Sequence, residues 1–541
     1  MAALTTLGAL VPAVAGRTPD RPALRESGTG LTWSDVEDRT GRLAAALAGV
    51  GVRAGDRVAV LHRKSADAFV AMHAIVRAGA VAVPVDPRAP TDYGRSVVAA
   101  AGCRVVVSHP PCAAAAIALA AAADLAAVIG VDRPRDEGDG AGADGTTCRS
   151  AAATIHLVGP EEVSAHEPIG PTSVGADDPA YIITTSGSTG RPKGICHTHA
   201  SALAYVAFKR AAYDFTADDR IGDIAPNHFD ISTQALWVTP AIGATNIVVP
   251  EPHQMLPASL AQLMAQEAMT VWYGVPYLLS QLATRGDLAA NDLSALRWVL
   301  FGGEVLAPSV LRTLMAALPG ARFSNVYGPA EVNACTVHHL EAPPADGVDA
   351  VPIGAPVGRS VVRLVDGEIQ VSAPTMMRGY WGRPELDADA FVDDGGRRWY
   401  RTGDLAHRRH DGALVFDGRI DHQVKVRGHR VELEAVEAAV EDLIGGSAVV
   451  ALVGDHLVAG LVGTELPTAD QAELQGRLGQ RLPPYAIPAR FHPLSSVPTT
   501  GSGKLDRRAM RQELADAEKA DAEHADAEQA ARSDTGGKRT V

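Results

Sequence analysis

Thr184–Gly194 reads TTSGSTGRPKG and stands directly behind the apolar run Tyr181–Ile183. Glycines let a backbone approach an anion closely, and Ser/Thr hydroxyls with free N–H groups can cradle phosphate oxygens. Lys193 adds a point charge to that cradle. A flexible Ser/Gly linker is the plain alternative, yet linkers rarely fix Pro and Lys between glycines behind a buried strand. The spacing matches neither GxxxxGK[ST] nor GxGxxG, so the segment reads as a phosphate loop of another type.

Such a loop must be held by a rigid frame, and the surrounding sequence supplies one. Short branched-apolar runs (DRVAVL, AVAVPVD, CRVVVSH, LAAVIGV, AYIITTS, ATNIVVP, MTVWYGVP, LRWVLFGG) are separated by Ala/Leu-rich amphipathic stretches such as SADAFVAMHAIVRAG. The alternation predicts an α/β fold with a large N-terminal domain of mostly parallel sheets over residues 1–420. From about Val357 the pattern changes to alternating strands, with a hairpin signal at Asp366-Gly367, which predicts a β-subdomain. Residues 421–510 read as a small α+β domain, and 511–541 as an acidic low-complexity tail. The repeat DAEKA-DAEHA-DAEQA matches no helical stripe, so the tail is either a polar helix or disordered. Asp132–Gly145, rich in Gly and Asp, is expected to be a surface insertion.

Bulk numbers narrow the function. The chain has 541 residues, too many for one core, and 46% hydrophobic with 21% charged residues is an ordinary globular balance. A net charge of −14 argues against nucleic-acid binding, although six acidic residues and one lysine in the repeat carry −5 of it. Five scattered cysteines form no CxxC pair and suit a reducing cytoplasmic setting. The N-terminus lacks a basic region before its apolar stretch and does not read as a signal peptide. The Ala-rich run Ala113–Val131 contains Asp124 and reads as a buried helix rather than a membrane span.

The loop resembles the signature of the adenylate-forming superfamily: acyl-CoA synthetases, luciferases and the adenylation domains of nonribosomal peptide synthetases. Further strings follow in that family's order: RAGAVAVPVDP (Arg77–Pro87), Phe229-Asp230, FGGE (Phe301–Glu304), NVYGPAE (Asn325–Glu331), GEIQV, RGYW, YRTGDLA (Tyr400–Ala406), GRIDHQVKVRGHRVE (Gly418–Glu432) and GSGKLDR (Gly501–Arg507). The resemblance implies two half-reactions, ATP-dependent activation of a carboxylate and transfer of the acyl group to a thiol. It implies ATP and Mg2+ as cofactors. It places Thr185, Ser186, Gly187, Ser188, Thr189, Gly190 and Lys193 on the phosphates and Glu331 on the metal. Gly303, Glu304, Asn325, Tyr327, Gly328 and Phe416 would surround the nucleotide, and Asp404 with Arg419 would hold the ribose. Lys504 would enter the cleft to bind the α-phosphate and carboxylate, making Lys504, Lys193 and Glu331 the catalytic set. Asp421 would be the hinge about which a mobile small domain rotates. The chain departs from the family at Ala330, where threonine is usual, so one hydroxyl contact to phosphate is missing; Val332 and Asn333 also replace commoner threonines.

Asp230 discriminates among acids. A buried carboxylate is costly unless paired, so an Asp lining a pocket asks for a cation. By resemblance it pairs with a substrate α-ammonium; the alternative is a helix N-cap before ISTQALW. The other pocket positions carried over are Ile231, Gln234, Tyr273, Leu300, Gly302, Val326, Ala334 and Cys335. No second charge appears among them, and Gly302 and Ala334 are expected to leave room. The set is similar to proline- and pipecolate-activating pockets, implying L-proline or a related cyclic amino acid. Neither a condensation motif nor a carrier motif appears, so the expected partner is a phosphopantetheinylated carrier protein in trans; whether a small activator protein is needed stays open. An acyl-CoA ligase for a small carboxylic acid and a non-catalytic nucleotide-binding protein are the competing readings.

Overall fold

The computed structural model describes residues 4–132, 147–149, 154–185, 192–462, 468–494, 498 and 505–536. The described residues from His422 onward form a compact unit separate from the bulk of the preceding chain.

The first unit is built on two nine-stranded sheets. One runs Ala355–Pro356, Thr336–Leu340, Arg322–Tyr327, Trp298–Gly302, Val271–Gly274, Arg220–Asp223, Thr245–Val248, Pro22–Glu26, Thr29–Thr32, with the strands from Arg322–Tyr327 to Pro22–Glu26 mutually parallel. The other contains Lys193–Thr198, Pro179–Thr185, Val81–Pro84, Arg57–Leu61, Val105–Ser108, Ala127–Ile129 and Thr154–Val158, parallel except at its edges. Every branched-apolar run named above forms one of these strands. Parallel strands are covered on both faces, so both sets of alternate side chains must be apolar. Helix His199–Ala212 follows the phosphate-loop hairpin and starts with a capping box between Thr198 and Ser201.

Val361–Val365 and Glu368–Ser372 form the expected hairpin, with Asp366 at φ 52° and Gly367 at φ 84°, the left-handed pair of a type I′ turn. Arg397–Arg408 and Leu414–Arg419 complete this antiparallel sheet.

The Ala-rich run differs from the single buried helix expected. A helix, Ala113–Ala122, with only Ala116, Leu119 and Ala120 buried, is followed by the strand Ala127–Ile129. Asp124 between them takes φ 51°, a conformation that ends the helix. Among the described residues no helix is long and apolar enough to cross a membrane.

The second unit packs helices Leu433–Ile444 and Thr468–Leu478 on the sheet Ser447–Val453, His456–Val462, Arg490–Leu494, around Val436, Val440, Leu474, Leu478 and Phe491. Helix Arg507–Gly536 lies against the sheet through Met510 and Leu514, which pack with Val449, Val458 and Leu494. The acidic repeat is therefore the distal part of a helix that begins at Arg507. The expected insertion falls outside the described residues beyond Asp132.

Candidate active site

The period-2 geometry of three neighbouring parallel strands makes one wall. Tyr273 lies opposite Leu300, and Gly302 opposite Val326. Tyr273, Leu300 and Val326 join one apolar cluster, whereas Trp272, Val299, Phe301 and Phe323 face the other way into a second. Ile231 and Ala334 belong to the same cluster as Tyr273.

Asp230 follows the loop after Arg220–Asp223, at the start of a short turn. Its Oδ1 accepts from the next backbone N–H, of Ile231, at 3.0 Å, and the position before it, Phe229, is the turn's N-cap. Asp230 is therefore not the N-cap of this turn. The chain then makes a π-helical turn, Gln234–Val238, a rare form that recurs at functional sites. Gln234 is 2% exposed, and neither its amide nitrogen nor its amide oxygen has a hydrogen-bond partner among the described residues.

Two expectations about this wall change. A Cβ on Gly302 would lie 2.2 Å from the Val326 carbonyl oxygen, so glycine is demanded by the neighbouring strand and is more than a space-maker for a ligand. Cys335 packs with the β-subdomain cluster instead of with Tyr273, Leu300 and Val326.

On the nucleotide-loop side, Thr185 and Lys193 are cross-strand partners at the end of the ladder that brackets the loop. Thr185 Oγ1 is buried without a hydrogen-bond partner among the described residues. Ser186, Gly187, Ser188, Thr189 and Gly190 lie outside the described residues, as does Lys504. Glu331 is 1% exposed and accepts from the Tyr380 hydroxyl at 2.9 Å. Its loop is tied to the phosphate-loop hairpin by His197, whose Nε2 meets the Ala330 carbonyl at 2.9 Å while Nδ1 meets Ser201. Burial pushes His197 down to about 4, and the hydrogen bond to Ala330 and the charge of Glu331 only partly oppose this. The ring is therefore neutral, with Nε2–H as the donor. The loop can fold this tightly because Gly328 has Asn333 and Ala334 backbone atoms within 2.7 Å of where a Cβ would stand.

Asp404 is held by two groups. Tyr327 donates to Oδ2 at 2.6 Å, and Arg419 ion-pairs with Oδ1. Burial and the Asp404 charge raise the Tyr327 phenol well above its ordinary value, keeping it a donor. Arg419 also pairs with Asp421, at 2.6 Å through both Nε and Nη2. Phe416 and Tyr327 pack against one cluster, Asn325 donates to the Pro352 carbonyl at 2.9 Å, and Gly303 takes φ 93° before the half-buried Glu304.

Three features were not read from the sequence. Asn333, at φ 68°, accepts from Thr233 and donates to Tyr181, bridging the Asp230 turn to the strand before the phosphate loop. Lys64 forms a buried ion pair with Asp223. Lys209 is fully buried on helix His199–Ala212, with Nζ 4.0 Å from the centre of the Tyr273 ring. Lys209 was not among the expected pocket positions, yet it stands against one of them, Tyr273. Ala202, Tyr205, Val206 and Lys209 at i, i+3, i+4 and i+7 are the signal that could have shown it.

These parts define a class: an α/β fold in which a strand hairpin brackets a Ser/Thr/Gly-rich segment, the loop of the buried Glu331 is tied to that hairpin, and Asp230 opens a turn near an apolar wall. The profile described as AMP-binding enzyme matches residues 11–381. The chain belongs to that family and is an adenylate-forming ligase. It is 32% identical over 517 residues to the L-proline--[L-prolyl-carrier protein] ligase of Pseudomonas fluorescens, covering 92% of this chain and 97% of that one. It is 33% identical over 525 residues to the phenyloxazoline synthase MbtB of Mycobacterium sp. (strain MCS), of which it spans only 41%. The fold matches the Vibrio cholerae adenylation domain AlmE, solved with glycyl-adenosine-5'-phosphate, with TM-score 0.79 and 24% identity over 95% of this chain and 99% of that one.

Proposed function

We propose that this ligase activates a small amino acid, with L-proline or a related cyclic amino acid as the leading substrate, and loads it onto the phosphopantetheine thiol of a carrier protein. The observation carrying this reading is Asp230 close enough to Tyr273 for its charge to reach that phenol, Tyr273 sharing one apolar cluster with Leu300 and Val326. A carboxylate there suits an α-ammonium, which a simple carboxylic acid lacks. The proline relative, matched over nearly its whole length, supports the choice of amino acid and acceptor.

In the first half-reaction a carboxylate oxygen of the amino acid attacks the α-phosphorus of ATP, and pyrophosphate leaves with the electron pair of the broken P–O bond. Thr185 and Lys193, with the intervening loop, hold the phosphates; Asp404 and Arg419 hold the ribose. Lys504 approaches the α-phosphate and carboxylate and offsets the charge that builds as two anions meet. In the second, the carrier thiol loses its proton, attacks the carbonyl of the mixed anhydride, and AMP departs. The described residues contain no group of three or more His, Cys, Asp or Glu able to hold a metal. The single hard carboxylate of Glu331 nevertheless fits Mg2+, which takes one or two protein carboxylates and draws its other ligands from phosphate and water. Bound there, the ion would neutralise charge on the pyrophosphate leaving group.

The deciding experiment is amino-acid-dependent exchange of labelled pyrophosphate into ATP. Proline or a cyclic relative should give the strongest exchange, and Asp230→Ala should lower kcat/KM for it by about 100-fold or more, the cost of an uncompensated partner charge. Exchange driven best by a simple carboxylic acid, and untouched by Asp230→Ala, favours the CoA-ligase reading instead.

A further inference from the structure

Two buried lysines of the first unit are treated oppositely. Lys64 is paired with Asp223, and its Nζ also donates to Asn227 Oδ1 at 3.0 Å. Lys209 Nζ has no hydrogen-bond partner among the described residues. Three tyrosine rings surround it, with centres at 4.0 Å (Tyr273), 5.3 Å (Tyr213) and 5.4 Å (Tyr205). Ring faces attract a cation but satisfy none of its N–H donors. Burial pushes Lys209 well below its ordinary value, and no anionic neighbour counteracts that.

Nothing in the packing requires an amine at this place. A methionine would fill the same volume without an orphaned polar end, so retaining lysine destabilises the fold unless something else meets Nζ. A second orphan, the amide of Gln234, lies on the π-turn that packs against the Lys209 helix. Burial first, and then neighbouring charge that includes Asp230, raises the phenols of Tyr205 and Tyr273, so Asp230 lies near two of the three rings around Lys209. Buried polar groups left unpaired around a pocket are how a site comes to require a polar group on its ligand.

We infer that Lys209 and Gln234 form the side-chain end of the amino-acid pocket and select a substrate whose side chain carries a hydrogen-bond-accepting oxygen. This rests on the amino-acid reading above and narrows it, from unsubstituted proline toward oxygen-bearing relatives. Asp230 takes the α-ammonium at one end. Lys209 donates to the side-chain oxygen at the other, with the Gln234 amide nitrogen as the second donor. The Tyr273 ring lies between them as the apolar contact.

The test is pyrophosphate exchange on matched pairs: trans-4-hydroxyproline against proline, serine against alanine, and aspartate against 2-aminobutyrate. The pairs separate a ring hydroxyl, a chain hydroxyl and a carboxylate as the source of the oxygen. In the wild type, the oxygen-bearing member of at least one pair should be preferred by about tenfold or more in kcat/KM. In Lys209→Met the preference in that pair should fall to near parity, while the melting temperature holds or rises. A wild type that exchanges but prefers the apolar member of every pair overturns the inference and leaves the amino-acid reading standing. So does a ratio unchanged by Lys209→Met. Loss of cooperative unfolding in Lys209→Met assigns the lysine to the scaffold and likewise overturns it. No exchange with any amino acid defeats the underlying reading as well.

Discussion

Tyr327 shows how much a single hydroxyl can carry. It donates to Asp404 Oδ2 at 2.6 Å, and Asp404 is only 6% exposed, so water cannot readily replace that donor. A hydrogen bond to a charged group contributes roughly 1.5–3 kcal/mol, and a carboxylate deprived of it turns away from its place. Tyr327→Phe should therefore raise KM for ATP by about ten- to a hundredfold and leave the amino-acid preference unchanged. Exchange kinetics at varied ATP check this, and an unaltered KM would show that Arg419 alone orients Asp404. The family resemblance of their strings led to Asp404 and Arg419 being expected side by side, as they are, whereas the Tyr327 hydroxyl on Asp404 appears only in the fold. Lys209 was not legible, because a lysine in a helix is ordinarily solvated and only its i, i+4 relation to Tyr205 betrays the buried face. Gly302 was half legible. Its small size was visible, but the Val326 carbonyl that requires it belongs to a neighbouring strand and appears only with the register.

At the scale of elements, the parallel strands could be read because two-sided burial writes them as unbroken branched-apolar runs. The Ala113–Val131 run could not be divided correctly, since alanine carries no periodic signal and the break lies in the backbone of Asp124. The distal helix posed a similar problem. Its repeat has no apolar stripe, and what anchors it lies nearer its beginning, in Arg507 paired with Glu434 and Glu437, in Met510 and Leu514, and in one carboxylate. Glu518 accepts from His492 at 2.8 Å and His456 at 3.3 Å, with Arg490 at 3.5 Å. Burial acts to raise Glu518, but these partners outweigh it and hold its carboxyl below the ordinary value of 4.5. A carboxyl depressed in the folded state stabilises fully above its unfolded value, and that stability is lost as pH falls through the folded one. Helix docking should therefore weaken below about pH 4.5. Glu518→Gln should speed amide exchange in 507–521 by about tenfold at neutral pH and flatten the acid dependence. Unchanged protection in that variant would mean that Met510, Leu514 and the Arg507 ion pairs with Glu434 and Glu437 hold the helix without Glu518.

For the whole molecule, the proposal divides labour between two folding units. The pocket wall, Asp404 and Glu331 belong to the first, while Lys504 belongs to the chain after His422, in a glycine-rich string on the other side of the proposed hinge, Asp421. A positive charge that lets a carboxylate bond to an anionic phosphorus is needed in the first half-reaction, whereas in the second the new bond forms at the carbonyl carbon. Attack of a neutral thiol's conjugate base on an acyl phosphate anhydride asks for access at the carbonyl. It asks for no fresh cation at the α-phosphate. Lys504→Ala should therefore lower pyrophosphate exchange by about 100-fold to 1000-fold, the usual loss when one charged donor to a transition state is removed. Transfer from chemically prepared aminoacyl adenylate to a phosphopantetheinylated carrier should stay within about threefold of wild type, because a threefold change is under 1 kcal/mol of barrier. Intact-mass measurement of the carrier reads the second step without the first. If both steps fall together, Lys504 serves the fold or the nucleotide in general. In that case the two-unit division of labour is wrong even though the ligase assignment stands.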